Sequence, residues 1–113
     1  MKEFMFIFRQ PDLDTRSISP DEFQKLAQKW QKWKKNIEQQ GKLGSNGNRL
    51  SSEGKVLKPG GIITDGPFVE IREILGGFMM VKAEDLDEAA TLAHGCLVLD
   101  INGSVEIRPL HII

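Results

Sequence analysis

The segment Lys2–Arg9, with the sequence KEFMFIFR, decides the fold. Its aromatic residues alternate with its aliphatic ones: Phe4, Phe6 and Phe8 against Met5 and Ile7. A period of two places alternate side chains on opposite faces of a β-strand. Both faces of this strand are therefore apolar, which predicts a central strand in a sheet that is covered on both sides. Phe78–Val81, with the sequence FMMV, predicts a second strand of the same kind.

A long helix is predicted after a polar loop over residues 10–18. Ser19 is a suitable N-cap, Pro20 suits the first turn, and Glu22 completes an S-x-x-E capping box. Gly41 is the predicted stop, which gives about 20 helical residues. The apolar residues recur at intervals of three and four and form one stripe: Phe23, Leu26, Trp30, Trp33 and Ile37. We interpret this stripe as the face that packs on the sheet, with the neighbouring lysines solvated.

The middle of the chain, Leu43–Gly61, is its most irregular part and is rich in glycine, serine and asparagine; Ile62–Thr64 follows it. It predicts two short strands with exposed turns, one of the turns over Gly44–Asn48. Asp65–Phe68, with the sequence DGPF, predicts a tight turn, because aspartate and glycine favour turns and proline fixes φ. The pair Gly76–Gly77 then leads into the second apolar strand.

A second helix is predicted to begin at Asp85 and Glu88 and to end at Gly95. The last strand lies within Gly103–Ile113, where Pro109 indicates a sheet edge or a bulge. Interleaved strands and helices of this kind predict the α+β class. The specific expectation is a ferredoxin-like plait, an antiparallel sheet with two helices on one face, formed as a single domain over residues 1–113.

The second face of the sheet predicts a homodimer. Two helices cover one face only, so a monomer would expose the apolar residues of both central strands in one patch, which monomeric proteins rarely do. We therefore expect two copies of the chain to pack sheet against sheet, as a dimeric α+β barrel.

Composition excludes several classes of function. The 15 basic and 16 acidic residues give a net charge of −1, which argues against direct nucleic-acid binding. The single cysteine excludes an internal disulfide, and no metal-ligand spacing or cofactor motif occurs. No apolar run is long enough to span a membrane, and no signal peptide begins the sequence. A cytoplasmic domain without metal or cofactor is predicted.

Charged residues on the last strand mark one candidate site. If Val105 and Ile107 face the helices, Glu106 and Arg108 point toward the opposing sheet of the dimer. A partly apolar cleft with a few converging charges is typical of a small-ligand site. Alternatively, Glu106 and Arg108 form a structural ion pair with neighbouring residues.

Several separated motifs resemble the DGPF group of the YCII-related family. The resemblance begins at the DGPF tetrapeptide and is strongest over Val56–Leu110. It includes the acidic pair Glu70 and Glu73, the Gly76–Gly77–Phe78 step, the helix start Leu86–Ala89 and the closing strand Gly103–Pro109. The resemblance implies a dimeric α+β barrel. It also implies small-molecule enzymology through a His/Asp pair in a cleft, while the DGPF group is often labelled as transcription-initiation proteins.

Only the aspartate of the His/Asp pair has a counterpart at the expected position in this sequence. Asp65 matches the aspartate of the motif, but no histidine precedes His94, so the first strand and helix lack the imidazole of the family. Asp65 alone would serve as a base if burial raised its pKa toward neutrality. As an alternative, it is a turn residue that accepts backbone N–H bonds. Cys96 is interpreted as a structural cysteine rather than a nucleophile.

Two functional hypotheses follow. In the first, the chain is a small-molecule-binding homodimer, with a lyase- or isomerase-like activity as an extension. Asp65 moves a proton, Arg108 anchors a small carboxylic acid, and Glu70, Glu73 and Glu106 line or support the cleft. In the second, it is a non-catalytic dimerisation or regulatory module for a transcription-associated partner of sigma-factor type. Its candidate surface is Trp30, Trp33 and the lysines of the first helix.

Overall fold

The computed structural model describes residues 1–10, 19–51, 53–66 and 74–111, with Asp65, Gly66 and Ile74 described by their backbone only. The strands run in the order β1 (Lys2–Gln10), β2 (Leu43–Arg49), β3 (Gly54–Lys58), β4 (Ile62–Gly66), β5 (Ile74–Ala83) and β6 (Ser104–Pro109). Helix α1 (Pro20–Gln39) follows β1, and α2 (Leu86–Ala93) follows β5. A 3₁₀ helix, Leu97–Ile101, precedes β6 and was not predicted from the sequence.

The four-stranded sheet has the order β2-β5-β1-β6, and β1 pairs antiparallel with both of its neighbours. The strand with the sequence KEFMFIFR is thus central, as its two apolar faces predicted. With α1 between β1 and β2 and α2 between β5 and β6, this order is that of the ferredoxin-like plait, and the predicted fold is confirmed. Pro109 closes the edge strand β6, where the missing N–H is tolerated.

The helix-covered face of this sheet holds the core. Phe6 stacks on Trp33 of α1, with ring centroids 6.2 Å apart. In the register, Phe6 pairs with Met79 on one side and with Ile107 on the other, so these side chains share the face. Buried residues of both helices complete the cluster: Trp33, Ile37, Ala89, Leu92 and Ala93. Burial of a large apolar side chain of this kind contributes about 1.5–3 kcal/mol.

Both helices begin as the sequence predicted. The Ser19 side chain accepts a hydrogen bond from the Glu22 N–H at 3.2 Å, and Asp85 accepts one from Glu88 N–H at 2.8 Å. Each bond satisfies an N–H of the first helical turn that has no partner within the helix. Neither of these helices is long and apolar enough to span a membrane.

Strand β2 corrects one prediction. Gly44–Asn48, predicted as a turn, lies within β2 and pairs with β5. Two register shifts interrupt the pairing, between Leu43 and Ser45 and between Ser45 and Asn48. Bulges accommodate glycine and asparagine in an edge strand, and pairing with β5 overrides their low strand propensity.

Strands β3 and β4 form a separate two-stranded sheet. Asp65 and Gly66 belong to β4 and pair with Lys55 and Gly54, so the prediction of a turn at these two positions is wrong. Their backbone continues the β3–β4 ladder instead of reversing. Pro67 and Phe68 lie outside the described residues. The hairpin exposes an apolar cross-strand pair, Leu57 and Ile63, at 71% and 62%.

The face of the four-stranded sheet opposite the helices is also apolar at its centre. Met5 pairs with Met80, and Ile7 pairs with Phe78. Alternation along the strands places these four side chains opposite Phe6 and Met79, and each is half-buried. We name Met5, Ile7, Phe78 and Met80 the open face. Both described α-helices pack on the other side of the sheet.

Candidate functional site

A cavity of about 340 Å³ lies between α1 and the end of the sheet where β1 ends and β5 begins. We name it the helix–sheet cavity. Its apolar lining comprises Phe8, Phe23, Leu26, Ala27, Trp30, Leu97, Val98 and Ile101, and Phe78 borders it although its side chain belongs to the open face. Its other lining residues are Gln10, Lys34, Asn46, Gly47, Asn48, Arg49, Gly76 and Gly77. The volume is at the lower end of the range for small-molecule sites in proteins.

The strand register explains why space remains here. Phe8, Gly77 and Arg49 are neighbours across β1, β5 and β2, so they occupy one row on the helix-covered side. The central residue of this row has no side chain, which leaves a gap between Phe8 and Arg49. A Cβ at Gly77 would lie 2.8 Å from the Asn48 carbonyl oxygen, so the close approach of β2 also requires glycine. The glycine pair before the second apolar strand therefore shapes the cavity.

An aromatic wall borders the cavity on the side of β1 and α1. The rings of Phe8 and Trp30 meet edge to face, with centroids 5.1 Å apart. Trp30 in turn contacts Trp33, with centroids 5.2 Å apart. Trp33 is buried in the core, so its contact with Trp30 holds the Trp30 ring in place beside the cavity. Such a wall suits an apolar or aromatic ligand group.

The polar wall carries positive charge. Lys34 of α1 and Arg49 at the end of β2 line the cavity, and Asn46 and Asn48 of β2 also border it. Within the described ranges, no carboxylate lines the cavity and neither cation has an ion-pair partner. Lys34 is half-buried and Arg49 is exposed. The described lining is therefore amphipathic, and no described carboxylate compensates the cations Lys34 and Arg49.

The predicted residues of β6 lie elsewhere, on the side of the open face. Glu106 pairs in register with Ile7, and Arg108 with Met5. The Glu106 carboxylate lies 3.3 Å from Arg108 Nη1 and 3.7 Å from Arg9 Nη2. Val105 and Ile107 pack on the helix side, so the predicted orientation of the strand is confirmed. The contacts of Glu106 are those of the structural ion pair, and a ligand role for Glu106 and Arg108 stays a prediction.

The other predicted site residues are described in part or not at all. Asp65 is placed by its backbone in β4, in a different sheet from Glu106 and Arg108, so strand pairing does not bring the three together. Glu70 and Glu73 lie outside the described residues. None of the described predicted site residues is part of the lining of the helix–sheet cavity.

The remaining nucleophile and imidazoles offer no alternative centre. Cys96 is 1% exposed, and burial raises the pKa of its thiol to about 11. It is therefore protonated at neutral pH, in agreement with its interpretation as structural. His94 and His111 are exposed. Across the described part of the chain, no three His, Cys, Asp or Glu residues are grouped to hold a metal ion.

Sequence reasoning missed Lys34 and Arg49 as site residues. The sequence pattern did not single out Lys34, although it falls beside the apolar stripe of the helix rather than opposite it. Arg49 followed a segment that was predicted as a turn. The recognisable signal was Gly76–Gly77, which lies next to both β1 and β2 and lines the cavity.

Fold and cavity together define a class, the ferredoxin-like α+β domains with a small-molecule-sized cavity between helix and sheet. A family model of the YCII-related domain matches residues 4–111. The chain therefore belongs to the YCII-related domain family, as the motifs from Asp65 to Pro109 indicated. No curated protein matches the chain.

Proposed function

We propose that the protein is a small-molecule-binding domain that acts in the cytoplasm as a homodimer. The observation that carries this proposal is the helix–sheet cavity, in which an aromatic wall faces a cationic polar wall. Small-molecule sites combine an apolar surface with a few placed polar groups, which is the arrangement of this lining.

The open face supports the homodimer. Met5, Ile7, Phe78 and Met80 form a contiguous apolar patch at the centre of the sheet. Charged residues lie beside this patch: Glu106 of β6 forms ion pairs with Arg108 of the same strand and with Arg9 of β1. An apolar centre with a charged rim is the usual anatomy of a protein interface. A second copy, packed sheet against sheet, would bury the patch on both chains.

Binding is the activity that the described lining supports. Within the described residues, the cavity has no carboxylate, imidazole or thiol to act as a general base. A lyase- or isomerase-like reaction additionally requires such a group, for which Asp65 is the predicted candidate. Binding and turnover are thus separable proposals, and the first stands without the second.

Occlusion of the cavity tests the proposed function. Ala27 is an exposed helical residue in the lining, so Ala27→Phe places a ring in the cavity without removing a core contact. Gln31→Phe, on the same helix but outside the lining, is the matched control. A thermal-shift screen of small organic compounds is expected to find ligands for the wild type and for Gln31→Phe that no longer stabilise Ala27→Phe.

The same screen decides the position of the ligand. Arg108→Gln and Asp65→Asn remove the groups of the predicted site between the sheets. If these two variants lose the ligand while Ala27→Phe keeps it, the helix–sheet cavity is not the binding site. Complete absence of hits at millimolar concentration would contradict a small-molecule function.

A regulatory module is the second candidate, favoured by the exposed lysines of α1. Lys25, Lys32 and Lys35 are exposed on this helix. The tryptophans do not extend this surface, because Trp33 is 8% exposed and Trp30 packs on Phe8. A transcription-associated partner would have to recognise the lysines. Capture of such a partner by the wild type, lost in a triple Lys→Glu variant of these lysines and retained in Ala27→Phe, would support the module.

A further inference from the structure

We propose that the ligand is an organic acid with a planar apolar body, and that its carboxylate is recognised by Lys34 and Arg49. This inference rests on the proposed function, because it names the chemical class that the helix–sheet cavity takes. Neither residue belongs to the site that the sequence motifs indicated.

The charge of the cavity indicates that its ligand is an anion. Two cations line it, and the described lining contains no acidic residue to compensate them. Two other lysines do form ion pairs, Lys29 with Asp100 and Lys42 with Glu88. Cations that line a cleft with apolar walls focus a positive potential into it, which attracts an anion. An arginine fork and a lysine ammonium are both common partners of a carboxylate.

The shape of the apolar wall indicates that the ligand has a planar apolar body. Phe8 and Trp30 form an edge-to-face pair beside Leu26 and Val98, which leaves aromatic surface for a ring to pack on. Among the polar lining residues, Asn46, Asn48 and Arg49 belong to β2, and Lys34 lies about one helical turn after Trp30 on α1. A ligand that satisfies both kinds of lining packs an apolar ring on Phe8 and Trp30 and presents an acidic group to Lys34 and Arg49.

Intrinsic fluorescence provides a direct readout of this cavity. The chain contains two tryptophans and no tyrosine, and Trp30 is the tryptophan in the lining. In the wild-type chain, a ligand-induced change in emission that is lost in Trp30→Phe and kept in Trp33→Phe is therefore assigned to Trp30. Phenylacetate and phenylacetamide are suitable probes, because they share the ring and differ in the charge of the head group.

The expected result is a saturable change in Trp30 emission with phenylacetate and at least about tenfold weaker binding of phenylacetamide. The double variant Lys34→Gln/Arg49→Gln is expected to weaken phenylacetate binding at least about tenfold and to leave phenylacetamide binding unchanged. Lys25→Gln, an exposed lysine of α1 outside the lining, is the matched control and should bind phenylacetate as the parent does. Thermal unfolding verifies that each variant is folded.

Equal affinity for acid and amide, or full phenylacetate binding by the folded double variant, would overturn the assignment of an organic acid while the cavity remained a binding site. If neither probe changes Trp30 emission and the thermal-shift screen also finds no ligand for the wild type, the proposed function fails as well. The two failures are therefore distinguishable.

Discussion

The indole Nε1 of Trp33 donates a hydrogen bond of 3.0 Å to the carbonyl oxygen of Leu92. This bond joins the two helices across the core. Leu92 lies in the last turn of α2, where carbonyl oxygens have no partner within the helix. A side chain of α1 thus satisfies a buried polar group of α2, and at the same time its ring stacks on Phe6 of the central strand.

Trp33→Phe tests the contribution of this bond. Phenylalanine keeps an aromatic ring on Phe6 but leaves the Leu92 carbonyl without its donor, which costs about 1–3 kcal/mol for a buried group. Trp30→Phe is the matched control, because the Trp30 indole N–H has no hydrogen-bond partner among the described residues. We expect Trp33→Phe to lower the free energy of unfolding in urea by about 1–2 kcal/mol more than Trp30→Phe. Equal losses would show that the bond contributes nothing.

The buried thiol of Cys96 predicts a pH dependence of stability. Burial raises its pKa to about 11 in the folded protein, from an ordinary value of 9.0, and the Asp100 carboxylate adds to the increase. Between these values the unfolded chain loses the thiol proton and the folded chain keeps it. The free energy of unfolding therefore decreases as the pH rises from 9 to 11, by about 2 kcal/mol from this group.

Cys96→Ala removes this contribution, so its stability should decrease less over the same pH interval in urea titrations. The native thiol should also react slowly with a disulfide reagent at pH 8, because the thiolate is scarce and the side chain is 1% exposed. Identical pH dependences for the two proteins, or rapid labelling of the native state, would contradict the prediction.

Gly47 is expected to be the glycine of β2 that tolerates no side chain. Its φ of +61° favours glycine, and a Cβ there would lie 1.8 Å from the Phe78 carbonyl oxygen. Gly61 has a similar φ of +76° but no atom within 4 Å of an added Cβ. Gly61→Ala should therefore cost only the backbone strain, about 1 kcal/mol.

Gly47→Ala adds the clash with β5 and should cost at least about 2 kcal/mol more in thermal or urea unfolding. Because Gly47 lines the helix–sheet cavity, this variant should also weaken ligand binding. A Gly47→Ala protein as stable as Gly61→Ala would show that β2 does not approach Phe78 this closely.

A substitution of Ile7, at the centre of the open face, tests whether the protein is a homodimer. Ile7→Lys introduces a charge at the centre of the open face, whose burial against a second copy would be strongly unfavourable. We expect light scattering to give twice the mass of the chain for the wild type at micromolar concentration and the mass of one chain for the variant. Leu99→Lys, at a 48% exposed position of the 3₁₀ helix, should remain dimeric. A wild type that is monomeric under these conditions would refute the dimer.

The sequence predicted those parts of the fold that local signals determine. Alternation at Phe4–Phe8 placed β1 at the centre of the sheet, and the caps at Ser19 and Asp85 located both helix starts. Strand β2 was missed, because its glycines and asparagines favour turns locally and become a strand only by pairing with β5. This pairing joins residues that are far apart in sequence, so no local pattern records it.

The cavity could not be predicted from the sequence, for a similar reason. It exists because Gly77 lies between Phe8 and Arg49 in a register of three strands, and because α1 brings Trp30 and Lys34 to the same place. Motif resemblance directed attention to Asp65 instead, and the alternation of the last strand to Arg108. Arg108 lies on the side of the open face and pairs with Glu106.

The most direct test of the central claim is one NMR titration of phenylacetate into protein that carries fluorine-labelled tryptophan and ¹³C-methyl methionine. Trp30 reports on the helix–sheet cavity, while Met5 and Met80 report on the open face. Our account predicts a saturable shift of the Trp30 fluorine resonance, with Met5 and Met80 unchanged. Shifts of Met5 and Met80 with no change at Trp30 would place the ligand between the sheets and contradict the account.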